Sequence, residues 1–276
     1  MNRQKARWGL IEIEGSPVGL VQIFENGLCN NLFHAIILDR GPLWFEGCGS
    51  DAHFESFIKT FRQEFPKRWG RKIRFIPELA NTRNIDPLLR SYGFQRQGTP
   101  AYQTIWLDLR PDMELIKKGF SKGWRNSVQK AERSQLSIEW DDKTRSLAQF
   151  LQFYEIDKSL KNYSGPSARF LSLLGKSCAP QKNMIIGRAL RDGKEIAAIL
   201  IVCHGSSATY QVGWTLDEGR KTAAHQFLLA RALPMLKEKG IMDFDLGGVN
   251  DETAAGVKKF KAGLGGEAVT LSGLFT

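Results

Sequence analysis

The chain has 276 residues, 42% hydrophobic and 25% charged, with 39 Lys and Arg against 29 Asp and Glu and a net charge of +10. That much apolar sequence excludes wholesale disorder, and no apolar run approaches the ~18 residues of a membrane-spanning helix. The excess of cations points to a polyanionic partner: a nucleotide, tRNA, a phospholipid headgroup or a phosphorylated sugar.

In chain order, LIEIE, PVGLVQIFE and NLFHAIIL alternate as strands and are joined by short EGS and NG turns. Residues 51–69 read as a helix with Phe54, Phe57, Ile58, Phe61 and Phe65 facing inward, stopped by Gly70. KIRFIPE is a strand, IDPLLRSYG a short helix and YQTIWLDL a closing strand. The segment 62–74 carries six cations against Glu64 alone.

Leu109 to Asp112 is the expected junction between a first domain, residues 1–109, and a second, 110–276, whose last strand can pair with either. Residues 112–135 form a basic amphipathic segment in which Ile116, Phe120, Trp124 and Val128 recur every four residues. Gly119 and Gly123 divide it into two helices, with Ser121 as N-cap. Its apolar stripe reads either as an interdomain core contact or as an interfacial membrane face with a basic rim. LSIEW is a strand, 145–160 and 166–175 are helices, and 183–190, 195–204 and 207–215 are strands linked by RDGK and HGSS turns. A single long helix is expected over 220–239, stopped by Gly240. The strand IMDFDL, a helix near 253–263 and a strand near 267–272 follow.

Both halves share an order of hairpin, strand, long helix, strand, short helix, strand. Gly70 to Gly93 and Gly240 to Gly263 are each 23 residues apart, which reads as an internal duplication. The fold class expected is α/β of the α+β type, each domain a mixed sheet flanked by helices, with a site where strands splay. This order resembles the GNAT acyltransferase fold, here in tandem.

Cys29, Cys48, Cys178 and Cys203 are widely spaced and His34, His53, His204 and His225 are scattered, so no metal site is expected. The N-terminal residues lack the apolar core of a signal peptide, and the expected compartment is the cytoplasm.

Three segments carry a more specific likeness: LDRGPLW at 38–44, DLRPDMELIKKGFSKGWRNSVQKAERSQLSIEW at 108–140, and DFDLGGVNDETAAGVKKFKAGLGG at 243–266. Together they resemble the Fem family of peptidyltransferases (FemABX-like), with kinship to the broader BioF2-like acetyltransferase group. The resemblance implies an enzyme that takes an amino acid from aminoacyl-tRNA and places it on the amine of a cell-wall precursor. It implies no resident cofactor, the acyl donor being a co-substrate. The family's ester-contacting Phe-Lys pair matches Phe260 and Lys261, and its basic helix brings in Arg125 and Lys130. The chain departs from the pattern at Lys161, which follows Tyr154 where the family has an arginine, so a point charge replaces a planar fork. Of the family's N-terminal phosphate-contacting segment, only Gln4 and Trp8 match.

Acyl transfer to an amine requires deprotonation of the amine, a donor for the developing oxyanion, and close positioning of the reactants. Lys261 suits the second task as a carbonyl stabiliser, or else belongs to a plain basic face with Lys258 and Lys259. Asp245, at the end of a strand before Gly247 and Gly248, either receives a proton and orients an amine or serves as a turn residue. Tyr210 either donates into a cleft or is a half-buried sheet tyrosine. His225 lies in the first turn of the helix at 220–239, as a surface, capping or catalytic residue. That helix begins Arg220-Lys221-Thr222-Ala223-Ala224-His225, with the basic residue of an acetyl-CoA pyrophosphate loop but neither glycine. Arg40, Arg125, Lys130 and Arg220 are the expected phosphate-steering cations.

The preferred reading is aminoacyl transfer from aminoacyl-tRNA to a peptidoglycan precursor or similar peptide. The alternatives are an acyl-CoA-dependent N-acetyltransferase and a non-catalytic tRNA or phospholipid binder. The partners expected are aminoacyl-tRNA, a phosphate-bearing small-molecule or peptide acceptor, and a peripheral membrane contact.

Overall fold

In the computed structural model, which describes residues 5–81, 84–249 and 255–276, the chain forms two units. One comprises 1–103 with 269–276 and the other 104–268. The division falls between Gln103 and Thr104, earlier than the expected 109/110, and the C-terminal residues rejoin the first unit. The fold is mixed α/β with two mixed sheets flanked by helices.

The first unit holds β1 (Lys5–Ile13), β2 (Ser16–Leu28), β3 (Phe33–Gly41), β4 (Leu43–Trp44), α1 (Asp51–Glu64), β5 (Arg71–Pro77) and α2 (Asp86–Ser91). Among the described residues its sheet has five strands in the order β1-β2-β3-β5, with β4 on β2. The β3–β5 pairing is parallel, which requires a crossover, and α1 supplies it. All five inward residues predicted for α1 are buried. The helix stops at Glu64 instead of 69, because Pro66 disfavours helical backbone at the residue before it. The returning C-terminal residues pair with β5 through Phe75 N–H to Phe275 O at 2.9 Å and Phe275 N–H to Phe75 O at 2.8 Å.

The second unit contains β6 (Gln103–Asp108), α3 (Met113–Gly119), α4 (Lys122–Arg133), β7 (Ser137–Asp141), α5 (Leu147–Lys161) and α6 (Ala168–Cys178). It continues with β8 (Met184–Arg191), β9 (Lys194–His204), β10 (Ser207–Thr215), α7 (Asp217–Lys221), α8 (Ala224–Glu238), β11 (Asp243–Asp245), α9 (Ala255–Ala262) and β12 (Glu267–Thr270). Its sheet runs β12-β6-β11-β10-β9-β8-β7. The strand at 103–108, expected to close the first domain, lies here beside β11. Asp108 faces Asp243 across that pair, a like-charge juxtaposition that Arg110 offsets by bonding to both.

β9 is buried along nearly its whole length because helices cover both faces of the sheet. Ile199 and Ile201 join a core with Leu228, Leu229 and Leu233 of α8, while Leu200 and Val202 join one with Phe150, Tyr154 and Leu171. The stripe of 112–135 is core: Ile116, Phe120 and Trp124 are buried and Val128 packs against them. A membrane face on that stripe is therefore excluded. Ser121 caps α4 as predicted, accepting from Trp124 N–H at 3.3 Å.

The long helix expected at 220–239 is two helices, α7 and α8. The break is at Ala223, whose φ of 56° places it in the left-handed region. The predicted start of the helix near 253 lies outside the described residues.

Gly265 has φ +90°, and a Cβ there would lie 2.5 Å from Gly119 O. Gly256, on α9, has nothing within 4 Å. Gly265→Ala is expected to destabilise by about 1–3 kcal/mol. Gly256→Ala is expected to be neutral or stabilising by about 0.5–1 kcal/mol. Denaturant unfolding of the two variants checks the contrast.

Candidate active site

β10 and β11 pair in parallel only from Ser207–Thr209 to Asp243–Asp245. β10 then runs on to Thr215 past a bulge at Gln211, while the chain after Asp245 turns away through Leu246, Gly247 and Gly248. The two strands splay at this point, and Tyr210 is the first β10 residue beyond their pairing.

Asp245 is buried. Its Oδ1 accepts from Thr104 Oγ1 and from Gly247 N–H at 2.8 Å. This is the turn role of the two proposed for it: the carboxylate fixes the Gly247–Gly248 corner. Gly247 is required there, since its φ is +76° and a Cβ would stand 3.1 Å from Tyr210 O and 3.5 Å from Lys261 Nζ.

Lys261, on α9, is buried with its Nζ donating to Gly248 O at 2.9 Å and lying 5.8 Å from the centre of the Tyr210 ring. It therefore does not belong to an exposed basic face. Burial lowers its pKa to about 8, against the upward pull of the Asp245 carboxylate. Near neutral pH it is a largely protonated amine close to its titration point.

Tyr210 Oη and His225 Nε2 are hydrogen bonded at 2.8 Å. Burial, then the cations Lys161 and Lys261, lower the His225 pKa to about 4, so the ring is neutral near pH 7. Burial raises the Tyr210 pKa, with Asp157 and Tyr154 adding to it, so the phenol stays protonated. Phe260 stands edge-on to His225 at 5.4 Å and tilted against Trp124 at 5.4 Å. Trp124 Nε1 also donates to Phe260 O at 2.6 Å, which anchors α9 to α4. Gly213 leaves room for the pair, because a Cβ there would come within 2.6 Å of Tyr210 Oη and 2.7 Å of His225 Cε1.

On α5, Lys161 Nζ pairs with Asp157 Oδ1 at 2.5 Å, and Tyr163 donates to Asp157 Oδ2 at 3.2 Å. Lys161 also reaches Thr215 O at 3.5 Å, the same carbonyl that Arg220 Nη1 meets at 3.1 Å. Two cations thus converge where β10 ends, ahead of α8. Ala223 gives this corner the left-handed backbone that glycine adopts most readily, although it carries a methyl group.

Six of the ten sequence candidates therefore gather in one region: Asp245, Lys261, Phe260, Tyr210 and His225, with Lys161 in electrostatic reach of His225. Arg220 meets Lys161 at Thr215 O, while also pairing with Asp217. The remaining three lie elsewhere. Arg125 donates to Lys118 O at 3.2 Å and Phe120 O at 2.8 Å, holding the α3–α4 junction. Lys130 is exposed on α4. Arg40 belongs to the first unit, where it forms an ion pair with Glu78 and lies 5.0 Å from the Tyr102 ring centre.

Sequence reasoning missed Thr104, Trp124 as a partner of Phe260, and Asp157. Only Asp157 carried a local signal, its i,i+4 spacing to Lys161 on a helix. Among the described residues, no group of three His, Cys, Asp or Glu side chains is arranged to hold a metal, and no helix is long and apolar enough to cross a membrane.

A family model described as an acetyltransferase (GNAT) domain matches residues 118–262, more than half of the chain. A crystal structure of FemX shares the fold with a TM-score of 0.82 at 13% identity, over 99% of this chain and 87% of that one. The structure of L-PGS from Bacillus licheniformis aligns with a TM-score of 0.56 at 13% identity, over 98% and 83%. A tandem GNAT protein from the clavulanic acid biosynthesis pathway aligns at 0.50 with 14% identity, over 99% and 83%. The sequence has no match among curated protein sequences.

With a folded pKa of about 4 against the usual 6.5, His225 favours the folded state above pH 6.5. Below that, the unfolded chain takes up the proton first, so this contribution is lost as pH falls toward 4. A histidine Cε1 NMR titration should show one ring that stays neutral to about pH 4. His225→Gln should flatten the stability profile across the same interval.

Proposed function

This chain belongs to the acetyltransferase (GNAT) domain family and is an acyltransferase, and on that premise we propose that it moves an aminoacyl group from aminoacyl-tRNA to an amine of a peptidoglycan precursor or similar peptide. The observation that carries this reading is the buried Lys261, its ammonium held by one backbone carbonyl at the strand splay beside Phe260. A charge kept in a low-dielectric site acts more strongly on a developing oxyanion than one in water. The FemX-like fold over nearly the whole chain supports the same reading.

In this mechanism the acceptor amine attacks the ester carbonyl. A C–N bond forms, the C–O bond to the ribose breaks, the amine loses a proton and the leaving oxygen gains one. Lys261 Nζ donates first to the carbonyl oxygen as it becomes an oxyanion. Asp245 acts as a positioning residue: it sets the Gly247–Gly248 corner, and its negative charge helps keep Lys261 protonated. The neutral Tyr210–His225 pair lines the site with a hydroxyl and an imidazole able to orient the amine or relay its proton. Lys161 and Arg220, converging on Thr215 O, steer donor phosphates.

One observation favours a second reading, with acyl-CoA as donor. Ala223 keeps a left-handed backbone at the head of α8, and no side chain caps that helix, a start compatible with backbone N–H groups taking a pyrophosphate.

Incubation with labelled aminoacyl-tRNA and, separately, labelled acetyl-CoA, each with amine acceptors, tests the two donors. Label passing from tRNA to an amine-bearing product is expected; transfer from acetyl-CoA alone would transfer the case to the second reading. Lys261→Ala is expected to lower kcat by about 10²–10³-fold. Because the protonated amine is the active form, the rate should fall as pH rises through about 8. Lys261→Arg should move that descending limb upward, and a limb unchanged in Lys261→Arg would rule out this assignment.

A further inference from the structure

Two basic runs stand out in the sequence, and the candidate site leaves the first, 62–74, without a role. In the structure it frames an apolar tip on the first unit. Leu28, Leu32, Phe33 and Trp69 are all exposed there, Trp69 by 73%. They are not loosely held. Arg68 bonds to Asn31 O and, at 3.1 Å, to Leu32 O, while His34 N–H donates to Gly70 O at 2.8 Å. Gly70 permits this close approach, since a Cβ there would meet Leu32 O at 2.1 Å. The Phe33 and Trp69 rings pack at 5.4 Å. The fold thus fixes four large apolar side chains in water, an arrangement that marks an interaction site.

Beside the tip lies an open cavity of about 420 Å³ to which Arg62, Lys67, Arg71 and Lys72 contribute, with no Asp or Glu among its described lining residues. The nearest acids are already engaged: Glu25 with Arg7 at 2.9 Å and with His34 at 2.9 Å, and Glu64 with Arg7 at 3.7 Å. Among the described residues, the buried Nε of Arg71 has no hydrogen-bond partner. The Arg71 guanidinium has its pKa lowered by burial and by Arg68, and that of Arg62 by burial and by Arg71, so the cluster repels itself.

We propose that this tip docks on an anionic phospholipid bilayer, with Leu28, Leu32, Phe33 and Trp69 entering the boundary between headgroups and acyl chains and Lys67, Arg71 and Lys72 meeting lipid phosphates. Charge complementarity selects an anionic partner, and the apolar tip selects one that also offers hydrocarbon. RNA would answer the cations and the exposed Trp69 ring, but Leu28 and Leu32 add nothing to a base-stacking platform, whereas a bilayer engages all four apolar side chains. Tryptophan at an apolar–polar boundary suits the headgroup level of a bilayer. The surface lies on the unit that does not carry the candidate site, so the inference is independent of the acyl donor.

Co-sedimentation of the full chain with mixed phosphatidylglycerol–phosphatidylcholine vesicles, against phosphatidylcholine alone, tests it. Binding to the anionic vesicles only, weakened by salt, is expected. Each lysine near an anionic surface contributes about fivefold, so Lys67→Ala with Lys72→Ala should weaken partitioning about 25-fold. Leu32→Ser with Trp69→Ser should abolish it while circular dichroism and melting stay unchanged. Quenching of tryptophan emission by brominated lipid should be lost in Trp69→Phe. Lys261→Ala should bind vesicles like the parent chain, which separates this surface from the acyl-transfer site. Equal binding to both vesicle types, or binding insensitive to the Leu32/Trp69 substitutions, would overturn the proposal. So would retention of tRNA through Lys67 and Lys72 with no vesicle binding.

Discussion

A buried carboxylate needs donors, and the way Asp245 obtains them shapes the candidate site. Its two bonds, from Thr104 and Gly247, hold the last residue of β11 beside β6 and turn the chain away from β10. β10 continues without that parallel neighbour, and the buried Tyr210 ring packs against His225 and Lys261. Gly248 then presents its carbonyl to Lys261 across the same corner. The buried carboxylate is satisfied from two sides, by Gly247 within its own turn and by Thr104 of the neighbouring β6.

The site separates its charges by depth. Inside, one amine with a lowered pKa sits beside a tyrosine and a histidine that are both neutral near pH 7. At the end of β10, Lys161 and Arg220 share one carbonyl, with Asp157 and Asp217 as their ion-pair partners. The proposed acyl transfer to an amine would use this division: the buried position would strengthen a single charge at the reacting carbonyl, and the outer cations would suit a phosphate-bearing donor that must bind and leave.

The two basic runs show why composition alone does not assign a surface. Each has a net charge of +5 and interleaved aromatics. In 115–135 the aromatics go inward, and Arg125 spends its donors on the α3–α4 junction. In 62–74 Phe65 goes inward but Trp69 stays out, because Pro66 ends α1 and Gly70 turns the chain against Leu32. One run became core with a charged outer side; the other became a charged rim around an exposed tip.

Local pattern determined a good deal of this protein. The 3.6-residue recurrence of phenylalanines in α1 and the period of four through Trp124 fixed which faces are buried. Short glycine-bearing turns marked the β8–β9–β10 meander, and a strand ending in Asp-Leu-Gly-Gly marked the site corner. Asp245 and His225 were singled out by their local positions, Phe260 by the family resemblance and Lys261 by both. Tertiary structure decided what pattern could not encode. It placed 103–108 in the second sheet and returned 269–276 to the first unit, since strand pairing joins residues far apart in sequence. It broke the helix at Ala223, where a left-handed residue without glycine leaves no mark in composition. It brought Thr104 to Asp245 and Trp124 to Phe260 across more than a hundred residues of chain, and it set the Lys261 pKa. That value depends on burial and on which carbonyl and carboxylate surround the amine, and only the folded chain fixes those neighbours.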